Sequence, residues 1–286
     1  VRTAMLLTAA LLGGCATTAP PAAYTAAPEQ PGRQYRWLLG SGEAAAMSRQ
    51  THAAMAAYAV ARARGPADSA VLAAGASPDA PRWGACDSKP RAVVYDIDET
   101  VLFNTGANYD SASRDDPPFD PARWARWEQG GAKLVEPVPG VVEAIAAIRA
   151  AGVTVIFNSN RDNVYAAQTA DALASVGITG AVAGETLFLK GDVAPGSAKD
   201  PRRAAIAARY CVVAMAGDNL GDFADAFNDK ALTVQQRRAL AQAPALRAKW
   251  GAGWFLLPNS LYGAWEGAGF DDLFPADKRW TLEEND

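Results

Sequence analysis

The stretch VVYDIDET (residues 93–100) runs three apolar or aromatic residues straight into a cluster of carboxylates, Asp96, Asp98 and Glu99. A short apolar run, here 92–95, is the pattern of a strand buried on both faces of a sheet. Carboxylates crowded at its end repel one another. The stretch therefore reads either as a polar loop or as a site that holds a cation and does chemistry, and the rest of the chain has to decide between the two.

Downstream, strand-like and helix-like patterns alternate. Val141, Val142, Ile145 and Ile148 follow helical spacing, with Gly152 as the stop. Residues 153–157 predict a second buried strand, 163–175 a helix ended by Gly177, 186–189 a short strand and 201–209 a helix. Residues 211–216 predict another buried strand, 234–249 a helix interrupted near Pro244, and 254–257 a last short strand. Upstream, the Ala-rich segment 41–64 predicts a helix closed by Gly65-Pro66. Strands alternating with helices predict an α/β fold with a parallel sheet flanked by helices. In such sheets ligands bind beyond the carboxyl ends of the strands.

Composition narrows the function. The 286 residues carry a formal net charge of −4 and no long basic run. That argues against a polymeric nucleic acid partner, whose phosphates demand a basic surface. The first residues, VRTAMLLTAALLGGC, carry one Arg, an apolar run too short to span a bilayer, and then small residues. They read as a signal peptide over 1–14. Leu12-Gly13-Gly14-Cys15 resembles a bacterial lipobox, in which Cys15 is acylated and becomes the new N-terminus. The expectation is an exported lipoprotein of the bacterial cell envelope, held at the outer membrane through its lipid anchor. A Pro/Ala/Thr-rich tether covers 15–32. Of the other cysteines, Cys86 and Cys211 read equally well as a disulfide, which an exported compartment permits, or as two separate buried thiols.

All four expected strand ends carry polar residues of one kind of chemistry. Asp96, Asp98 and Thr100 follow the first, and Ser159, Asn160 and Arg161 the second. Lys190 follows the third, and Asp218 and Asp222, in GDNLGDF, the fourth. Moving a phosphoryl group from an ester to water needs a cation to neutralise phosphate charge, and Mg²⁺ prefers such hard oxygen ligands. A Lys, a Ser hydroxyl and backbone amides can cradle the phosphate oxygens. One carboxylate attacks phosphorus, and a second protonates the leaving alkoxide and then deprotonates water.

This set, in this order, resembles the haloacid dehalogenase (HAD) superfamily: DIDET its first motif, Ser159 its second, Lys190 its third and GDNLGD its fourth. DIDETVLFN, FDPARWARW, NSNR, GDNLGDF and LPNSLYGAWEG further resemble class C acid phosphatases, the group that holds the outer-membrane lipoprotein e 5'-nucleotidases. The resemblance covers roughly residue 40 to the C-terminus. It implies a Rossmann-like (HAD-type) parallel sheet with a smaller, mainly helical cap or second domain. On that reading 33–286 is the phosphatase domain, with a core of about 90–102 and 139–260 and a helical part from 33–75, 103–138 and 261–286.

The resemblance implies a Mg²⁺-dependent phosphomonoesterase acting on small phosphorylated substrates of the nucleoside 5'-monophosphate type through an aspartyl-phosphate. Asp96 is the implied nucleophile and Asp98 the general acid/base. Asp96, Asp98 (through its carbonyl) and Asp218 are the implied Mg²⁺ ligands, with Asp222 one step removed. Ser159, Asn160 and Lys190 would bind phosphate. Trp124 and Tyr262 would stack on the nucleobase from either side. The alternatives are a broad-specificity acid phosphatase and a surface-binding lipoprotein with a vestigial site. Two departures stand out: Phe103 replaces a usual Asp, and KGDVAPGSAK after Lys190 reads as a loop insertion.

Other residues read more plainly. Glu99 is a turn or structural residue, and Trp127 and Trp265 are structural. His52, the single histidine, is a surface or packing residue. Lys199, Arg202 and Arg203 read as a solvated helix start, with a salt bridge to Asp222 as the other option. Arg161 reads either as a phosphate contact or as a structural ion pair.

Overall fold

The structure, a computed structural model, describes residues 1, 29–73 and 75–282. Cys15, the signal segment and most of the tether lie outside the described residues. Among the described residues, no helix is long and apolar enough to cross a membrane. The strands are β1 (Arg91–Tyr95), β2 (Leu102–Phe103), β3 (Glu136–Pro137), β4 (Thr154–Asp162), β5 (Leu187–Lys190), β6 (Cys211–Gly217) and β7 (Trp254–Leu256). The principal helices are α1 (Arg33–Leu38), α2 (Gly42–Ala61), α3 (Thr105–Ala112), α4 (Pro121–Gly130), α5 (Val141–Ala150), α6 (Ala166–Ser175), α7 (Asp200–Arg209) and α8 (Val234–Ala241).

Five strands form one sheet in the order β5-β4-β1-β6-β7, every pairing parallel. The chain moves outward from β1 through β4 to β5, then returns to β6 and β7 on the other side. Connections thus leave β1 and β6 in opposite directions, and a crevice opens between their carboxyl ends. β1 is apolar throughout because both its faces are covered. Val93 and Tyr95 join a cluster with Ile145, Ile148 and Leu173 from α5 and α6. Ala92 and Val94 join Ile206, Phe223, Phe227 and Trp254 on the opposite face. Each Val, Leu, Ile or Phe side chain among them taken out of water contributes about 1.5–3 kcal/mol.

The long helix α2 departs from the expected division. Its segment was expected in a helical part apart from the core, yet Met55, Ala56 and Ala59 belong to the same cluster as β1 and β6. The reason is a face of small alanines, which lets the helix lie close against α5 and the sheet. Ser41 caps it by accepting from the Ala44 amide at 3.0 Å. His52 lies fully buried on this face, stacked on Tyr95 at 5.9 Å between ring centroids. Burial pushes its pKa down to about 4.

Helix stops fall where the glycines sit: Gly152 and Gly177 take φ of 79° and 85° after α5 and α6. The segment expected as one interrupted helix is two, α8 and a short turn at Pro244–Arg247. Cys86 and Cys211 form a disulfide, with Cα atoms 4.5 Å apart and a separation of 125 positions in sequence. It ties the loop before β1 to the first residue of β6.

Between β2 and β3 lie α3 and α4, which stand over the carboxyl edge of the sheet. Asp120 caps α4, accepting from the Ala122 and Arg123 amides at 2.9 and 3.2 Å, and Pro121 opens the helix. Asp116, in the loop before α4, accepts from Gln34 and from the Tyr35 hydroxyl, each at 2.5 Å. That clasps α1 to the same edge.

Candidate active site

β1 leads directly into Asp96, whose amide still donates to the Ala216 carbonyl of β6 at 2.9 Å. β6 ends at Gly217, so Asp96 and Asp218 leave neighbouring strands side by side. Asp222 joins them: Asp96, Asp218 and Asp222 each present a carboxylate oxygen within 4.8 Å of the others. Gly217 permits this, because a Cβ there would stand 2.3 Å from the Cβ of Asp222. Asp218 also accepts from Thr100 Oγ1 at 3.0 Å and from Asn259 Nδ2 at 2.6 Å.

One cation faces the three carboxylates. Lys199 Nζ reaches Asp96 Oδ1 at 2.5 Å and Asp222 Oδ1 at 2.6 Å. All four groups are buried. Burial, with the charges of Asp222, Asp218 and Asp98, pushes the Asp96 pKa well up against the pull of Lys199. Burial, then the charge of Asp222, raises Asp218 to about 7. Three buried carboxylates against one ammonium leave an excess of negative charge that a divalent cation would relieve. The donors are all hard oxygens, so the set fits a metal of the Mg²⁺, Mn²⁺ or Ca²⁺ kind.

Lys199 is a correction to the sequence reading, which had placed Lys190 against phosphate. Lys190 sits at the end of β5, where Nζ pairs with Asp162 at 3.0 Å, half-buried. β5 is separated from β1 by β4, and two strand spacings amount to about 10 Å. Lys199 lies past the loop, at the cap of α7. Asp225 holds it there by accepting from the Lys199 and Asp200 amides at 2.8 and 2.7 Å. The segment read as a loop insertion therefore delivers the lysine. The signal lay in SAKDP, a basic residue just ahead of Asp-Pro at a helix start.

The neighbouring cations are not solvated either. Arg202 is buried and donates to the Ser159 carbonyl and to Asn160 Oδ1. Arg203 is buried and donates to the Gly221 and Asp222 carbonyls at 3.0 and 2.8 Å. The first turns of α7 thus brace the loops after β6 and the end of β4 at once.

Asp98 points away from the triad. Arg161 donates to its Oδ1 from Nε at 2.9 Å and forms an ion pair with it through Nη2 at 2.8 Å, while Asn104 Nδ2 donates to Oδ1 at 3.0 Å and Ser159 Oγ to Oδ2 at 3.3 Å. Of the expected metal ligands, Asp96 and Asp218 bring their carboxylates together, Asp98 is expected there only through its backbone carbonyl, and the third carboxylate in the cluster is that of Asp222. The turn after Asp96 sends successive side chains to opposite sides, and Arg161 captures the second. Arg161 is an ion-pair partner, fully buried beneath Asp98.

On the Asp98 side of this pit lies a cleft of about 1580 Å³, lined among others by Asp98, Asn160, Lys190, Trp124 and Tyr262. Trp124 is half-buried, with its ring tilted against Phe119 at 6.3 Å. Trp127, one turn on, instead packs on the core and donates from Nε1 to Asn104 Oδ1 at 3.1 Å. Glu99 is buried among Asn104, Asn108 and the Tyr262 hydroxyl, a convergence the sequence does not announce. Glu128, four residues after Trp124, lines the cleft floor and accepts from the Asp162 amide at 2.8 Å.

Residues 43–265 match the family described as HAD superfamily, subfamily IIIB (Acid phosphatase). Among solved structures, the chain is similar to the class C acid phosphatase from Bacillus anthracis. The identity is 26%, the TM-score 0.64, and the match covers 81% of this chain and 84% of that one. A second structure of the Bacillus anthracis class C acid phosphatase, with tungstate bound, shares the fold at 24% identity and a TM-score of 0.62, covering 84% and 88%. A buried carboxylate pit at the switch point of a parallel sheet, in a chain matched over these lengths, makes this protein a member of HAD subfamily IIIB and a phosphatase.

Proposed function

We propose that the chain is a Mg²⁺-dependent phosphomonoesterase that prefers nucleoside 5'-monophosphates. The observation that carries this is a pit of three carboxylates and one lysine beside a cleft lined by Asp98, Trp124 and Tyr262. Asp96, Asp218 and Asp222 would hold the metal, which when bound supplies charge neutralisation to the phosphate. Lys199 offsets further negative charge beside Asp96 and orients that carboxylate.

The residues then divide the work. An Asp96 oxygen bonds to phosphorus as the ester P–O bond breaks, and the departing oxygen takes a proton from Asp98. Asp98 next takes a proton from water, the resulting hydroxide bonds to phosphorus, and the Asp96–phosphorus bond breaks to release inorganic phosphate. The ion pair with Arg161 would fix the orientation of the Asp98 carboxyl. Ser159 and Asn160, braced by Arg202, would bind the phosphate oxygens. Indole and phenol rings stack on any base, which supports nucleotide preference.

The reading extends to location: an exported, lipid-anchored enzyme of the outer membrane. The Leu12–Cys15 motif supports it, as does the Cys86–Cys211 disulfide, since such bonds persist in oxidising compartments. Acyl labelling that survives in Cys15→Ser would overturn the anchor.

The test of the chemistry is phosphate release from adenosine 5'-monophosphate with Mg²⁺, with chelator, and in Asp96→Asn. Chelation should abolish activity and the variant should lose about 10⁴-fold or more. Equal release in all three sinks the mechanism. A broad-specificity phosphatase is the second reading, favoured if glycerol phosphate is cleaved with the same kcat/KM as the nucleotide.

A further inference from the structure

Glu99 is the carboxylate of DIDET that neither joins the cation pit nor makes an ion pair among the described residues. It is buried, and its backbone takes a φ of 53° in the left-handed region. A buried carboxylate without a cation and a strained backbone are both costly, and such costs concentrate where function over-determines the geometry. Its compensation is a ring of neutral donors. The Asn104 amide gives 3.2 Å and Asn104 Nδ2 3.2–3.3 Å, Asn108 Nδ2 3.1 Å, and the Tyr262 hydroxyl 2.8 Å.

Tyr262 is the distant member, 163 residues away in sequence. Its ring lies in the cleft, 39% exposed. No regular element supports it: 259–262 is irregular backbone between β7 and a short helical turn. Instead the segment is pinned from its ends. Asn259 donates to Asp218 in the pit at 2.6 Å, Ser260 donates to the Gln34 carbonyl of α1 at 2.8 Å, and Leu261 packs with Leu38 and Phe103. The last pin is the hydroxyl on Glu99. An aromatic side chain held this way before a ligand arrives loses little freedom when one stacks on it.

We propose that Glu99 is a positioning residue. By holding the Tyr262 hydroxyl it fixes the ring above the phosphate pit, and so sets the preference for phosphate esters carrying a flat aromatic base over small alkyl phosphates. This rests on the nucleotide reading above.

The experiment compares KM for adenosine 5'-monophosphate with KM for glycerol phosphate in the full chain with Mg²⁺. The variants are Tyr262→Ala, Tyr262→Phe and Glu99→Gln. Tyr262→Ala should raise the nucleotide-to-glycerol-phosphate KM ratio most. Tyr262→Phe keeps the ring and drops only the tether, and should raise the ratio about 5-fold. Glu99→Gln should move it in the same direction, and the Glu99→Gln/Tyr262→Phe double variant should add nothing beyond the stronger single change. If Tyr262→Ala raises the ratio while Tyr262→Phe matches the parent, the tether is idle and the proposal falls, with base stacking left standing. If Tyr262→Ala leaves the ratio unmoved, the stacking reading falls and takes the proposal with it. Should Glu99→Gln fail to fold, the two Tyr262 variants still decide.

Discussion

The pit and the wall of the cleft lie next to each other and are built from different material. The pit hangs from sheet ends and the first turn of α7; Asp96, Asp218, Asp222 and Lys199 are all buried, with Lys199 bridging Asp96 and Asp222 and Asp218 held by Thr100 and Asn259. The wall comes from short helices and irregular chain, with Tyr262 and Trp265 39% and 47% exposed. Rigid, desolvated groups strengthen every charge interaction and act on the chemical step. Half-exposed rings act on whatever part of the substrate extends out of the pit. Changes in the pit should therefore appear in kcat, and changes in the wall in KM.

The two lysines give the sharpest way to break that division. Lys199 touches Asp96 and Asp222, whereas Lys190 lines the cleft and pairs with Asp162. Lys199→Ala should lower kcat by about 10²–10³-fold, since it removes a buried cation aimed at developing charge. Lys190→Ala should change kcat by less than about 3-fold, as expected of a half-exposed ion pair. Stopped-assay phosphate release on both variants checks this, and a larger loss at Lys190 would reverse the assignment.

The same two residues show what the sequence made legible. Asp96 and Asp218 stood out because each follows an apolar run long enough for a central strand, and a parallel sheet places its ligands there. Applying that rule to Lys190 misleads, because β5 is an edge strand and its end lies beyond reach of the pit. Arg202 and Arg203 looked like a solvated helix start because nothing in local sequence says that two loops close over them. Glu99 was hidden for a related reason: its partners arrive from positions 104, 108 and 262, and only the folded chain brings them together. The sheet was readable because its signals are local. The bracing of the site was not, because its contacts are long-range.

His52 approaches the pit from behind, through Tyr95, and separates stability from activity. Its pKa falls from 6.5 to about 4 in the fold, because burial penalises the imidazolium. The unfolded chain therefore binds more protons between those values. The stability is fully present above pH 6.5 and is lost as pH falls toward 4, by about 3 kcal/mol at the plateau. His52→Phe keeps a ring against Tyr95 and removes the titration, so its Tm should decline less steeply over that window. Parallel Tm-against-pH profiles for parent and variant would sink this account, and kcat at neutral pH tests whether the back of β1 belongs with the pit at all.

Trp124 carries the smallest effect and tests the outer half of the comparison. It sits on α4, held at its base by the Asp120 cap and flanked by Phe119, so truncation leaves the helix supported by Trp127 and Glu128. A stacked base contributes about 1–3 kcal/mol, so Trp124→Ala should raise KM for adenosine 5'-monophosphate roughly 10-fold. The chemical step is set below it, by groups that Trp124 does not touch, and kcat should move far less than KM. Glycerol phosphate, which has nothing to stack, should show a much smaller KM change in the same variant. A loss shared equally between kcat and KM would mean that the ring shapes the pit itself, and the division between chemistry at the sheet edge and selection at the wall would have to be abandoned.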